Sequence, residues 1–281
     1  MHYIQSRLRR TPLLIVMLLA VAALGPTAAS ADEATTAALN SALAGDHRSA
    51  ANKARDQYRH PLETLSFFGI RSDMTVVEVS PGGGWYTEIL APFLKDKGTF
   101  YAAGSDPDSV KEFFQRSAKR FKEKMASDEV YSKVNITVLA PPKKTDIAPA
   151  GSADMVLTFR NIHNWMSDDT VDAVFQAMYR ALKPGGILGV VEHRGDPGVA
   201  QDPQAGSGYV NQDYAIQLAE KAGFKLVASS EINANPKDSK DYPKGVWTLP
   251  PTLALEDKDR DKYLAIGESD RFTLKFVKPA E

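Results

Sequence analysis

The chain contains no cysteine among its 281 residues. A disulfide, a thiolate metal site and a cysteine nucleophile are therefore excluded. The chain also lacks an excess of positive charge, with 34 basic residues, 35 acidic residues and a formal net charge of −1. Because proteins that bind nucleic acids are usually basic, we expect no nucleic-acid partner.

Long apolar runs are also missing, except for one near the N-terminus. Residues 13–24 read LLIVMLLAVAAL, follow three arginines and precede the triplet Ala-Ser-Ala at residues 29–31. This order is typical of a cleaved secretory signal peptide. The run of 12 residues is shorter than the ~20 that a membrane span needs. We therefore predict a signal peptide over residues 1–31, with an uncleaved anchor as the alternative.

Cleavage would leave a mature chain without a stable membrane anchor, and we expect it to be periplasmic or secreted. Residues 1–31 hold three arginines and no acidic residue, so their removal changes the net charge to −4. The pair Arg9-Arg10 leaves twin-arginine export open beside the general route. We predict an N-terminal leader with lid helices over residues 32–72, and one sizeable domain over residues 73–281.

Short apolar segments alternate with helical patterns along most of the chain. The sequence predicts strands at residues 74–79, 98–103, 135–139, 153–159, 187–193, 224–229 and 272–277. Between two of them, Phe114, Phe121 and Met125 recur on one face of a predicted helix. Strands joined by helical crossovers form a mostly parallel sheet that is covered on both faces. In such sheets, ligands bind beyond the carboxyl ends of the strands.

The strongest local signal is the segment VVEVSPGGGWYTE at residues 76–88. A strand, a glycine turn and a helix bring backbone N–H groups to one point, which favours an anionic or nucleoside-like ligand. A Walker loop is excluded because Trp85 and Tyr86 stand where it needs Lys and Ser or Thr. A dinucleotide fingerprint fits poorly at Thr87, which leaves an oxidoreductase as a weak alternative. A third pattern places an acidic residue, Glu78, within the strand.

The segment EVSPGGG at residues 78–84 resembles motif I of the class I S-adenosylmethionine-dependent methyltransferases. ADMVL at 153–157 resembles their fourth strand, ALKPGG at 181–186 the turn before the fifth, and AGF at 222–224 the entry to the sixth. The region around residues 59–92 also resembles a group of exported bacterial proteins known as predicted methyltransferases. The resemblance implies a Rossmann-like, doubly wound, mostly parallel seven-stranded sheet with an antiparallel last strand.

The resemblance also implies S-adenosylmethionine as the cofactor, placed against the glycine turn. The cofactor-binding residues that we carry over are Glu78, Ser80, Gly82, Gly83, Gly84, Asp106 and Asn161. Glu78 either helps to place the amino group of the cofactor or caps the following helix. The acidic residue that usually ends the second strand and binds the ribose is replaced by Gly104. Asp106 either takes over that role from the loop or is a turn residue before Pro107.

Catalytic candidates follow the fourth and fifth predicted strands. His163, in the polar run RNIHNW, is the first candidate for a general base, and His193 is the second. The alternative is that His163 supports the site without touching the acceptor. A metal site with Glu192 is not predicted, since spacings such as HExxH are absent.

Two further groups of side chains are candidates for contacts with the acceptor. Aromatic residues near loop ends either form a wall around it or belong individually to the core: Trp85, Tyr86, Trp165 and Trp247. In the predicted lid, Arg55 and Arg59 are four residues apart and repel each other, which favours an anion or a carboxylate as partner. The alternative is that they lie on a solvated helix face.

These features predict an exported S-adenosylmethionine-dependent methyltransferase that acts on a small-molecule substrate. The alternative is a non-catalytic protein on a methyltransferase scaffold that binds a small-molecule or nucleoside-like ligand. The missing ribose-binding acid favours the alternative, whereas the polar run at residues 161–165 favours the enzyme. The sequence names neither the acceptor nor the oligomeric state.

Overall fold

The computed structural model describes His2 and residues 28–280. Its centre is a seven-stranded sheet with the order β3-β2-β1-β4-β5-β7-β6. The strands are β1 Thr75–Val79, β2 Thr99–Gly104, β3 Val134–Val138, β4 Ala153–Phe159, β5 Leu182–His193, β6 Lys225–Ser230 and β7 Arg271–Val277. Strand β7 lies antiparallel to both β5 and β6, and the other pairs are parallel. The predicted fold class is therefore confirmed.

Helices cover the sheet and form the N-terminal region. They are α1 Ala28–Ala44, α2 Ala50–Lys53, α3 Asp56–Arg59, α4 Pro61–Phe68, α5 Thr87–Leu94, α6 Glu112–Met125, α7 Ile162–Ser167, α8 Val171–Ala181, α9 Gln212–Lys221 and α10 Arg260–Ile266. Short 3₁₀ turns occupy Glu129–Tyr131 and Gly245–Thr248. Because the helices that connect the parallel strands pack on the two sides of the sheet, the sheet is buried on both faces.

Two buried clusters lie on opposite faces of the sheet. Val77 and Val156 belong to one cluster, and Val76 and Met155 belong to the other. Neighbouring residues of a strand point to opposite faces, so these alternating side chains supply both cores. The central strands can therefore be apolar throughout, while polar groups concentrate where the strands end.

The segment predicted as a leader begins as a packed helix. Leu39 of α1 is fully buried, in the same cluster as Val76. The predicted signal peptide falls mostly on residues 1 and 3–27, which lie outside the described residues. In the part of the chain that the structure describes, no helix has the length and apolar character of a membrane span.

Candidate active site

The glycine turn between β1 and α5 has an unusual backbone. Ser80, Gly82 and Gly84 have φ angles of +53°, +57° and +76°. A left-handed conformation is uncommon for a residue with a side chain, and such strain concentrates at functional sites. The N–H of Ser80 donates to the carbonyl oxygen of Ala103 in β2 at 2.9 Å, which anchors the start of the turn.

The three glycines of the turn differ in what surrounds them. A Cβ atom added at Gly82 or Gly83 meets no atom within 4 Å, whereas one at Gly84 lies 3.3 Å from the ring of Phe121. Gly84 is therefore required by its own backbone and packing. The open backbone at Gly82 and Gly83 fits the approach of a cofactor, and the resemblance places the methionine part of S-adenosylmethionine here.

Glu78 is a buried carboxyl group beneath this turn. Its Oε2 accepts a hydrogen bond of 2.6 Å from the hydroxyl of Thr87, the first residue of α5. Burial raises the pKa of Glu78 to about 7, although the Thr87 hydrogen bond and the charge of Lys124 act in the opposite direction. Glu78 thus contacts the start of the helix, and a cationic amino group nearby would favour its ionised form.

The end of β2, where the resemblance implies the ribose, is open. A Cβ atom at Gly104 meets nothing within 4 Å. Asp106 lies two residues on, where its Oδ1 accepts from the backbone N–H of Asp108 at 2.9 Å and from Nζ of Lys144 at 2.7 Å. Hydrogen bonds from Lys144 and Asp108 lower the pKa of Asp106. Asp106 therefore makes the turn contact expected of Asp before proline, and its carboxylate is also paired with a lysine.

Asn161 joins β4 to the glycine turn. Its side-chain amide donates to the carbonyl oxygens of Val79 and Ser80, both at 3.2 Å. The same amide lies 3.1 Å from the hydroxyl of Thr158. Asn161 therefore positions the backbone against which we place the cofactor.

Two residues after Asn161, His163 forms a buried pair with Glu192 of β5. Nδ1 of His163 lies 3.1 Å from Oε1 of Glu192, and both side chains are almost inaccessible to solvent. Oε2 of Glu192 accepts from the N–H of Ile162 at 2.6 Å, at the start of α7. A carboxylate at a helix N-terminus is stabilised by the free N–H groups there. Glu192 therefore orients both α7 and the imidazole of His163.

His193, the second histidine candidate, lies beside this pair. The centroids of the two imidazole rings are 5.3 Å apart, and Nδ1 of His193 lies 2.5 Å from the hydroxyl oxygen of Ser269. Burial lowers the pKa of His193 well below its ordinary value, and the charges of His163 and Arg271 lower it further. His193 is therefore neutral at physiological pH.

One ligand atom from each of His163, Glu192 and His193 lies within 4.8 Å of the others. This spacing suits a metal ion, but the surroundings do not. The two oxygens of Glu192 already accept from the backbone N–H groups of Ile162 and His193. Arg271 is among the cations that depress the pKa of His193, and their field repels a metal ion. The absence of a metal remains a prediction.

Of the four aromatic residues predicted to wall the acceptor, one reaches the histidines. The Trp247 ring centroid lies 5.9 Å from that of His163, and Trp247 lines a surface cavity with Tyr242. Tyr86 instead stacks on Phe159 at a centroid distance of 3.4 Å. Trp165 is buried in the core. Trp247 lies in the short 3₁₀ turn Gly245–Thr248, where the sequence has no periodic pattern, so its place beside His163 could not be predicted from spacing.

Residues 77–190 match the family model of the methyltransferase domain. The matched segment runs from within β1 to within β5 and includes the glycine turn, Asn161 and His163. Together with the fold, this match supports the prediction of an S-adenosylmethionine-dependent methyltransferase and of S-adenosylmethionine as its cofactor. No curated protein matches the chain in sequence.

Solved structures of methyltransferases and of one cyclase share this fold. A SAM-dependent methyltransferase from Aquifex aeolicus is 17% identical, with a TM-score of 0.52 over 80% of this chain and 93% of its own. The cyclase SpnF is 15% identical, with a TM-score of 0.55 over 91% and 98%. An O-methyltransferase from neocarzinostatin biosynthesis is 14% identical, with a TM-score of 0.50 over 81% and 55%. These likenesses show the fold alone, and a fold does not determine an activity.

Proposed function

We propose that this chain is an exported methyltransferase that transfers the methyl group of S-adenosylmethionine to a small acceptor, with His163 as the general base. The observation that carries this proposal is the buried contact of 3.1 Å between Nδ1 of His163 and Oε1 of Glu192. A carboxylate on Nδ1 fixes the tautomer and leaves Nε2 to take a proton from the acceptor. Asn161, two residues earlier, ties this segment to the glycine turn.

The residues of the chain mainly align the acceptor and receive its proton. The cofactor supplies an electrophilic methyl group, and in-line attack needs the acceptor to be held in position. Trp247 lines a surface cavity, and its ring centroid lies 5.9 Å from that of His163, so this cavity is our candidate route for the acceptor. Neutral His193 lies beside His163, and because its Nδ1 is paired with the hydroxyl of Ser269, its Nε2 is left for a hydrogen bond to the acceptor.

The proposal is tested with the purified protein, labelled S-adenosylmethionine and small molecules recovered from the compartment in which the protein resides. We expect the cofactor and its demethylated product to bind in calorimetry, and a labelled methyl group to appear on one recovered compound. The proposal fails if neither nucleoside binds at any practicable concentration.

Export is supported by the arrangement of residues 1–31 and by the resemblance to the exported group. We expect N-terminal sequencing of the mature protein to begin at Asp32. Exchange of Arg9 and Arg10 for lysine should stop export by the twin-arginine route and leave the general route unaffected. A mature protein that begins at Met1 would argue against cleavage.

A non-catalytic binding protein is the second candidate. The open space at Gly104 and the pairing of Asp106 with Lys144 favour it, because the ribose then lacks its usual carboxylate partner. Methyl transfer separates the two functions. A protein that binds the cofactor but never methylates a recovered compound supports the binding role.

A further inference from the structure

Three arginines converge on a single carboxylate next to the histidines. Glu268 accepts from Nε of Arg55 at 2.6 Å, from Nε of Arg59 at 3.2 Å and from Nη2 of Arg271. Arg160 completes the group: it follows β4, and its N–H donates to Val191 of β5, the strand that pairs with β7 and so with Arg271. Its charge also acts on Arg59 and Arg271. We refer to Arg55, Arg59, Arg160 and Arg271 as the arginine cluster.

The arginine cluster has more positive charge than Glu268 neutralises. Arg59 and Arg271 are only 3% and 2% exposed, and Nη1 of Arg59 and Nε of Arg271 are buried without a hydrogen-bond partner. Nη2 of Arg55 is in the same state. Within residues 28–280, Arg160 forms no ion pair. Buried charges without partners are costly, so a site of this kind favours a second anion.

The electrostatics and the backbone agree with this interpretation. Burial, together with repulsion by Arg160 and Arg271, lowers the pKa of Arg59 well below its ordinary value. Desolvation of the half-buried Arg160, together with the charge of Arg271, lowers its pKa to about 10. Arg160 also has a φ angle of +63°, held by a hydrogen bond of 2.7 Å from its N–H to the carbonyl oxygen of Val191. Such strain persists only where the surrounding structure enforces it.

The arginine cluster borders both halves of the proposed active site. Arg271 is the β7 partner of His193 in β5, and Arg160 precedes Asn161 directly. On the other side, the hydroxyl of Tyr86, next to the glycine turn, donates to the carbonyl oxygen of Arg59 at 3.3 Å. A group bound by the arginines would therefore lie beside His163 and near the cofactor turn.

We propose that the methyl acceptor carries an anionic group, a carboxylate or a phosphate, and that the arginine cluster binds it. The inference rests on the proposed function and deepens it by naming the class of acceptor. Planar guanidinium groups bind both kinds of anion through paired N–H donors. The free N–H groups of Arg55, Arg59 and Arg271 and the unpaired Arg160 supply such donors.

The test compares benzoate, phenyl phosphate and uncharged benzamide as probes of the purified protein without cofactor, at low salt. We expect both anions, or one of them, to bind in calorimetry and to raise the melting temperature, and benzamide to do neither. The tighter anion identifies the carboxylate or the phosphate. Arg160→Gln should weaken anion binding by about tenfold or more, the equivalent of one charge-assisted hydrogen bond.

If the arginines served only to stabilise the fold, Arg160→Gln would lower the melting temperature. An anion site predicts the opposite. Without an anion, Arg160→Gln should keep or raise the melting temperature, because it removes a repelling charge and breaks no ion pair. The control is Arg71→Gln, which removes an exposed arginine paired with Asp73 at 3.1 Å and should leave anion binding unchanged. Arg55→Gln, at a more exposed site, provides a second variant.

The proposal is overturned if neither anion binds the unaltered protein, or if Arg160→Gln binds them equally well. It is also overturned if Arg160→Gln loses melting temperature and Arg55→Gln binds both anions normally. A parallel titration with S-adenosylmethionine keeps the two proposals apart. If the protein binds an anion but not S-adenosylmethionine, the proposed methyltransferase function is refuted and the anion site stands. If it binds S-adenosylmethionine but neither anion, only the anion site is refuted.

Discussion

The cofactor side and the acceptor side of the proposed active site differ in burial and in the kind of group that they present. On the cofactor side, Gly82 and Gly83 are exposed and Asp106 is paired with Lys144. On the acceptor side, His163 and Glu192 are buried, and the arginine cluster surrounds Glu268. The first side is an open backbone surface formed mostly by one continuous segment. The second is a set of buried polar groups drawn from α3, the ends of β4 and β5, and the start of β7.

This difference indicates where each side gets its specificity. A cofactor that contacts open backbone at Gly82 and Gly83 is recognised by its shape and by backbone N–H groups. A side chain added at either glycine would therefore weaken cofactor binding. An acceptor that contacts buried charged side chains is recognised because its own polar or charged groups pair with those side chains. The four predictions below test that division, from the largest expected effect to the smallest.

The largest effect should come from the acceptor side. We expect His163→Ala to lower the rate of methyl transfer by ~10²–10⁴-fold, the usual contribution of general acid–base catalysis. Cofactor affinity in calorimetry should stay nearly unchanged, because the base faces the acceptor. Asn164→Ala, an exposed neighbour on α7, is the control and should keep its rate. Full activity of His163→Ala would assign the base to His193, or to no histidine if His193→Ala is also active.

The cofactor side should respond to the addition of a side chain. Gly83→Val places a branched side chain in open space, so we expect an unchanged melting temperature and a loss of cofactor affinity of about 100-fold. Gly84→Val should instead lower the melting temperature, since the residue has a φ angle of +76° and faces Phe121 at 3.3 Å. Normal cofactor binding by Gly83→Val would show that the cofactor does not bind at this turn.

Glu78 should make stability depend on pH. Its folded pKa of about 7 lies above the unfolded value, so the folded state holds the proton more tightly. The contribution of Glu78 to the free energy of unfolding should therefore be greatest below about pH 4 and decrease as the pH rises through 7. Glu78→Gln removes this loss, and we expect it to be more stable than the parent at pH 8 by about 1–3 kcal/mol.

Urea unfolding at pH 4 and pH 8 measures this difference, and exposed Glu112→Gln is the control. A Glu78→Gln variant that is less stable than the parent at pH 8 would contradict the prediction. The same residue links the cofactor to protons. If the cofactor amino group favours ionised Glu78, binding at pH 7 should release protons, which calorimetry in two buffers detects.

The smallest effect should come from the ribose side. Asp106→Ala should weaken cofactor binding by less than about tenfold, because at most one hydrogen bond is lost. If Lys144 competes with the ribose for Asp106, Lys144→Met should strengthen binding slightly in the same calorimetric titration. A loss of binding in Asp106→Ala far beyond tenfold would show that this residue replaces the missing acid.

Much of the fold could be predicted from local pattern. The fourth strand was predicted at residues 153–159 and is observed as Ala153–Phe159, because an apolar segment with clear ends has only one way to pair in the centre of a sheet. The fifth strand begins at Leu182, five residues before its predicted start at residue 187. The extension contains Lys183-Pro184-Gly185-Gly186, and proline and glycine ordinarily argue against a strand.

The sequence by itself determined the sheet, the glycine turn and the neighbourhood of Asn161 and His163, since each depends on residues close together in the chain. Only the tertiary structure decided which side chains these residues meet. Glu268 and Arg59 are separated by 209 positions, and Glu192 lies 29 positions from His163. No periodicity connects such residues. Their contacts arise because parallel strands and the antiparallel β7 bring their ends to one edge of the sheet, where buried charges must find partners.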